Sequence, residues 1–475
     1  MSVYTSVFDI LKAGIGPSSS HTLGPWKAAS AWMDELYHKK LLADIVSVKI
    51  FLYGSLALTG KGHYTDKALT FGLLQLDPSG VEVDCLAGIY EDMVINERVI
   101  HAANGEFLFS PARSIHFLKK ESHPFHPNAM KFCAVLRDES VYESFYFSTG
   151  GGFICRENES AVKACPDLKL AYPYSDSGEL AAICRKTGMS ISDVVLENEK
   201  VFRSEEEIRQ RLLRIWEVML QSAYDGCHTE GVLPGGLQVV RRAAELNRQL
   251  IRKHDYTDAR EWLEAMKEGR DFRKVLTRIS CLAMAVNEVN ASMGRIVTAP
   301  TNGSAGVLPA VLIYYLCFSG REVGEDDVVR FLLTAAEIGK FFRQGATISA
   351  AAGGCQAEIG VSSSMAAAAL TECLGGSPGQ ALMAAEIAAE HHLGLTCDPI
   401  GGLVQIPCIE RNSMGAVKAV TAAMIALAGN PDKAVVTLDN VIRAMKEIAD
   451  NMSDKYKETS LGGLAANVRV NLPEC

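Results

Sequence analysis

Four of the thirteen cysteines in this 475-residue chain stand where a thiol could act as a ligand rather than as packing. Cys397 and Cys408 fall in LTCDPIGGLVQIPCIERN, residues 395 to 412. Pro399, Gly401, Gly402 and Pro407 forbid a regular helix between them, which frees the backbone to wrap around an inorganic group and turn N–H groups toward bridging sulfides. Cys355, in AAAGGCQAEIG, lies in a second glycine-flanked turn, and Cys475 closes the chain. All of the first three sit at glycine-rich turns rather than on helix faces. Cys281, Cys317 and Cys373 lie in apolar helical patterns and read as small hydrophobes. With no CxxC pair, spacing alone leaves open an iron–sulfur site, a closed zinc site of four thiolates, or plain buried thiols.

Proton transfer needs a second kind of residue. His21, in PSSSHTLGP ahead of a helix, and His63, in GSLALTGKGHYTD between a strand and a helix, occupy positions where side chains point into clefts. His101, His116, His123, His126, His391 and His392 read as ordinary spectators. Ser18, Ser19, Ser20 and Thr22 precede a helix opening near Pro25, and Asn302, Gly303 and Ser304 of TNGSAG precede the helix of VLPAVLIYYL. Each run offers hydroxyls and helix-terminal N–H groups to an anion such as a carboxylate, or is simply a capped loop.

PSSSHT, GGCQAEIGVSSSMAAAA and CDPIGGLVQIPCIERN, in that order, resemble the single-chain iron–sulfur L-serine dehydratases (L-serine ammonia-lyases), and the likeness runs over nearly the whole chain. The resemblance implies a 4Fe-4S cluster on Cys355, Cys397 and Cys408, and dehydration and deamination of L-serine to pyruvate and ammonia, a step of amino-acid degradation that feeds gluconeogenesis. It implies His63 as the proton abstractor, His21 as a substrate-binding or auxiliary group, and PSSSHT as the stronger substrate loop; should His63 not serve, Lys61 is the next candidate for the base. Three fixed thiolates would leave one iron open to take the substrate hydroxyl as a Lewis acid. A C-terminal cysteine copies serine's carboxylate and its heteroatom on Cβ, so the resemblance also supports Cys475 as a reversible fourth ligand that serine displaces. Trp26, where methionine is commoner, and Ala351-Ala352 ahead of GGCQ are the small departures. A homodimer is expected. The N-terminal region further resembles the allosteric substrate-binding domain of some phosphoglycerate dehydrogenases.

The elements that must position these residues divide the chain. Residues 1–160 carry strand-length runs rich in β-branched and aromatic residues at Val46–Tyr53, Lys131–Arg137 and Ser140–Phe147, with a helical pattern over Pro25–Lys40, and so form an α+β domain. Residues 161–190, with scattered Pro, Gly and Ser around YPYSDSGEL, read as a linker. Residues 191–475 form a larger all-α domain carrying the iron–sulfur site: Ser204 with Glu207 opens one helix, Ser377-Pro378 another, and Gly429-Asn430-Pro431 stops a third. No strand is expected after Ser204. With the histidines on one domain and the thiols on the other, the active site is expected between them.

Composition excludes several classes of function. A net charge of -9 argues against nucleic acid or an anionic membrane as the main partner and favours a small metabolite. The longest apolar run, Val307–Phe318, falls short of the ~20 residues of a membrane span. An odd number of unevenly spaced cysteines, with no signal peptide at MSVYTSVFDILKAG, fits a reducing cytoplasm. Two rival readings are a pyridoxal-phosphate dehydratase, with Ser148 to Gly152 as phosphate loop and Lys61 as Schiff base, and a non-catalytic metal sensor.

Overall fold

The computed structural model describes residues 4–101, 105–157, 169–251, 255–269 and 271–470. Nine strands occur among them: β1 (Lys12–Ile15), β2 (Ile45–Tyr53), β3 (Arg98–His101), β4 (Gly105–Leu108), β5 (Ile115–Leu118), β6 (Ala129–Leu136), β7 (Val141–Gly150), β8 (Phe153–Arg156) and β9 (Arg295–Thr298). Seven of these build one mixed sheet in the order β3-β4-β2-β6-β7-β8, with β5 also paired to β2. The three expected strands match β2, β6 and β7. The helix Gly24–His38, with proline in its first turn, lays Trp32, Met33 and Leu36 on one face of this sheet, where Trp32 stacks on Phe132 at 5.1 Å between ring centres.

The rest is mainly helical, as its 3.6-residue periodicity dictates. At its centre runs the helix Ile359–Cys373, whose side chains are all buried, enclosed by Val307–Phe318, Glu325–Gly345, Pro378–Glu390 and Cys408–Ala428. Small residues set the spacing. Ala366 to Ala369 present little bulk, and a Cβ at Gly415 would come within 2.8 Å of the Ile359 side chain, so the two helices meet almost backbone to backbone.

Two expectations are corrected. The helical half is not free of strands: β9 pairs antiparallel with β1, from the start of the chain. Arg295–Thr298 is too short to show a period, and its partner lies far away in sequence, which is why the pattern is silent. Val7, Ile10 and Leu11 accordingly belong to the core of the helical body. The second concerns 161–190, expected as a linker, which contains the helix Ser177–Thr187. Asp176 caps its first turn by accepting from the Glu179 N–H, and Gly188, at φ 76°, ends it.

Two close approaches join the bodies. The loop that carries His63 docks on the cysteine loop so tightly that a Cβ on Gly62 would stand 2.6 Å from the Gly402 carbonyl oxygen. After the helix Leu438–Asn451 the chain turns back as a strap across both. The Cys397 N–H donates to the Tyr456 carbonyl (2.8 Å), the Glu458 N–H donates to the Cys397 carbonyl (2.9 Å), and the Ser55 hydroxyl donates to the Glu458 carbonyl (2.7 Å).

Candidate active site

The thiol side is built from three turns. Cys355 follows Gly354, whose φ of 73° and close approach to the Leu395 carbonyl admit no side chain. Cys397 is pinned between the strap's backbone groups. Cys408, expected in a turn, is instead the first residue of the helix Cys408–Ala428, because Pro407 ends the loop and opens the helix in one step. Ligand atoms of Cys355, Glu358 and Cys397 all lie within 4.8 Å of one another. Cys408 is buried beside them, near enough for a charge on Cys355 to raise its thiol further.

One cation serves this cluster. Arg411, a turn along from Cys408, donates to Cys355 Sγ (3.3 Å), to the Thr396 carbonyl (2.7 Å) and to Asp398 (2.8 Å). The bond from Cys397 and the Arg411 charge hold the Cys355 thiol below its usual range despite burial. The Cys397 thiol is pushed up by that same bond and by burial, the Cys408 thiol by burial, and burial lifts the Glu358 carboxyl to about 7. Three buried sulfurs and a half-buried acid, with Arg411 beside them, form a soft, electron-rich donor set that fits a thiolate-bound metal centre. Cys475 lies outside the described residues.

On the facing side, His21 and His63 stand with ring centres 4.6 Å apart. His63 Nδ1 lies 2.9 Å from the Thr59 carbonyl, which can only accept, so Nδ1 carries the proton and Nε2 presents its lone pair. That nitrogen is buried and has no hydrogen-bond partner. The Ser55 hydroxyl spends its proton on the Glu458 carbonyl and therefore accepts from His21 Nε2–H (3.0 Å), leaving His21 Nδ1 to accept from the Ser20 hydroxyl (2.8 Å). Burial depresses both rings, His21 well below its usual range and His63 to about 4, so both are neutral at pH 7.

PSSSHT wraps around this pair. Ser18 accepts from the His21 N–H (3.1 Å), Thr22 donates to the His63 carbonyl (2.8 Å) and so ties the two histidine loops together, and Ser18 and Ser20 share a hydrogen bond (3.2 Å), with Ser19 buried beside them. TNGSAG is placed differently. Asn302 donates to the Ile15 carbonyl and accepts from Thr298, and Ser304 donates to the Ala299 carbonyl, so their polar groups hold β1 and the loop itself. Gly303 leaves room for the Glu358 carboxylate, whose oxygens would stand 2.9 Å from a Cβ there. Lys61 is exposed, and Ser148 packs against Gly24, where a Cβ would strike its hydroxyl, which removes the support for the pyridoxal-phosphate reading. A cavity of about 600 Å³ between Arg214, Asp258, Arg260 and Arg295 shares no residue with this site.

Sequence reasoning passed over four residues of the site. Glu358 and Arg411 lie inside the quoted motifs, at one turn's spacing from Cys355 and Cys408, and that spacing was a usable signal. Ser55 and Glu458 gave none. Glu458 places Oε1 3.5 Å from both His21 Nδ1 and His63 Nε2, and Ser20 Oγ lies 3.4 Å from its Oε2.

A neutral histidine pair and a cluster of thiols thus come together at the seam of the two bodies. Comparison with known proteins identifies the family. Residues 6–159 match the serine dehydratase beta chain and residues 186–465 the serine dehydratase alpha chain. L-serine dehydratase 2 of Escherichia coli K12 is 45% identical over 467 residues, 98% of this chain and 99% of that protein. The L-serine dehydratase of Streptomyces coelicolor is 47% identical over 470 residues, 98% of this chain and 99% of its own. That of Helicobacter pylori is 40% identical over 469 residues, again 98% and 99%. The chain belongs to the serine dehydratase family, with the beta-type and alpha-type regions joined in one polypeptide.

Proposed function

We propose that this protein is an L-serine ammonia-lyase that converts L-serine to pyruvate and ammonia, with the reacting centre between the histidine pair and the thiols. The observation that carries the reading is the unpartnered lone pair of His63 Nε2, buried, neutral and fixed in its tautomer by the Thr59 carbonyl. A base so held takes the Cα proton without first losing a hydrogen bond or a hydration shell. His21 and the hydroxyls of Ser18 and Ser20 stand beside it and orient the substrate carboxylate, while Thr22 holds the two histidine loops together. Cys355, Cys397 and Cys408 would hold a 4Fe-4S cluster, with Cys475 as a displaceable fourth thiolate; the residues from Val468 to Cys475 can span roughly 26 Å. When bound, such a cluster supplies Lewis acidity toward the β-hydroxyl, a poor leaving group in water.

The balance is simple. Loss of the Cα proton and the β-hydroxyl releases water and 2-aminoacrylate, which tautomerises to the imine and takes up water to give pyruvate and ammonia. A buried site serves the first half, since it keeps the abstracted proton on His63. On this reading the reaction belongs to cytoplasmic amino-acid degradation, which the free cysteines support. Anaerobically purified protein should make one pyruvate and one ammonia per L-serine and show a broad violet absorbance that air bleaches. Colourless protein with full turnover would overturn the cluster, and coloured protein with no turnover would favour the sensor.

A further inference from the structure

Glu458 takes no part in the proton transfer described above, yet its placement is costly. The residue is 4% exposed and its backbone adopts φ 57°, a left-handed conformation that non-glycine residues rarely take and that concentrates at functional positions. Three backbone restraints hold it there: its N–H on the Cys397 carbonyl, and its own carbonyl receiving the hydroxyls of Ser55 (2.7 Å) and Thr59 (3.4 Å). The carboxylate is thereby set between the two histidines and the thiols. Among the described residues, no lysine or arginine forms an ion pair with it, and both histidines are neutral. Arg411 is committed to Asp398 and Cys355. Glu458 Oε1 and the free lone pair of His63 Nε2 are both acceptors, 3.5 Å apart, so this corner suits a ligand that brings several N–H donors. Burial also pushes the Glu458 carboxyl well up from its usual range, and a cation beside it would relieve that cost.

The lyase reading supplies one. The Cα whose proton His63 removes carries an α-ammonium one bond away. With Glu458 Oε1 and His63 Nε2 3.5 Å apart, an ammonium at about 2.8 Å from the oxygen leaves Cα at about 3.0–3.5 Å from the nitrogen, within reach for proton transfer. We propose that Glu458 binds the α-ammonium of the substrate and is the residue that selects an amino acid over the matching hydroxy acid. This rests on the L-serine reading and deepens it. Glycerate, which has serine's carboxylate and β-hydroxyl but an α-hydroxyl for the amine, is the discriminating probe.

The test uses the anaerobic holoenzyme. In Glu458→Gln the KM for L-serine should rise about tenfold or more, the loss of one charge-assisted contact, with a smaller fall in kcat. The calorimetric Kd for glycerate and the iron content should stay unchanged. Glu458→Asp, which keeps the charge on a shorter arm, should fall between. A variant that lowers kcat with KM unchanged would make Glu458 a positioning residue for His63, and one that loses iron would assign it to the metal centre; either overturns the proposal. Should neither variant fold, the wild type still decides: glycerate bound as tightly as serine's KM rejects an ammonium anchor. Pyruvate formation without such selectivity rejects Glu458 alone, whereas no turnover of L-serine rejects the lyase reading beneath it.

Discussion

Two pairs of buried cysteines in the helical body invite comparison. Cys227 and Cys281, on the helices Glu205–His228 and Phe272–Ala291, bring their sulfurs to 3.9 Å, while Cys355 and Cys397 meet within 4.8 Å. Proximity is therefore the same in both. The first pair projects from helix faces whose backbone N–H groups are already spent, Cys281 donates to the Ala243 carbonyl, and burial drives the Cys227 thiol well above its usual range. The second pair sits at turns, beside Arg411 and a third thiol; there Cys355 is pulled below its usual range while Cys397 is pushed well above it. The two pairs thus differ in the backbone around the sulfurs and in the one guanidinium that favours a thiolate at Cys355, the form in which a cysteine acts as a ligand.

Substitution can break that contrast outright. Cys355→Ala, Cys397→Ala and Cys408→Ala should each abolish bound iron and serine turnover, whereas Cys227→Ala, Cys281→Ala and Cys373→Ala should keep full iron by elemental analysis. Full iron in any of the first three would dissolve the distinction. Next in size, His63→Ala should retain iron and lose about 10²–10⁴-fold in kcat, separating the base from the metal; near-normal turnover would hand the role to another residue. His21→Ala should raise KM more than it lowers kcat.

Arg411→Ala probes the charge itself. It leaves Asp398 buried and unpaired, which should destabilise the protein by about 3–5 kcal/mol in denaturant melts, and it should lower iron occupancy without abolishing it. Unchanged occupancy would mean that the turns alone make the thiols competent. Deleting Cys475 should quicken iron loss in air while leaving iron content under nitrogen intact.

The mildest effect is on pH stability. His63, His126 and His392 are each depressed from 6.5 to about 4 by burial. Their folded values lie below the unfolded one, so unfolding takes up protons between these limits. The contribution of these three histidines should be full above about pH 6.5 and be lost as pH falls toward 4, opposed over the same window by the Glu358 and Glu386 carboxyls, which burial lifts to about 7, so His392→Gln should shift the slope of Tm against pH toward lower values there. His392 spends Nδ1 on the Ala388 carbonyl and is not among the ligand atoms of the thiol cluster, so iron content should not change.

How much of this was legible in the sequence depended on distance along the chain. The cysteine turns, the histidine loops and the helical periodicity are local patterns, and β2, β6, β7 and the helix after PSSSHT fall where the residues put them. β9 and the helix Ser177–Thr187 were missed for different reasons: one is defined by a partner at the other end of the chain, the other by caps that the surrounding Pro and Ser masked. In the site, Glu458 was invisible because KYKETSLGG reads as a polar tail after a helix, and only the fold buries it. TNGSAG shows the converse. Its composition suggests anion binding, while its side chains are spent on β1, a use that no local pattern reveals.

The strap also sets the order in which the molecule can be made. Ser55 and Glu458, joined by a hydrogen bond, are separated by 403 positions. During synthesis the histidine loops emerge early and the thiol turns much later, and the wall between them exists only once Tyr456 to Glu458 have left the ribosome. Until then Cys355, Cys397 and Cys408 are open to water and oxidants, and His63 has not yet lost the solvent that would hold it protonated below neutral pH. A contact of this sequence separation, ordinarily a matter of folding rate, here also decides when the wall of the site closes.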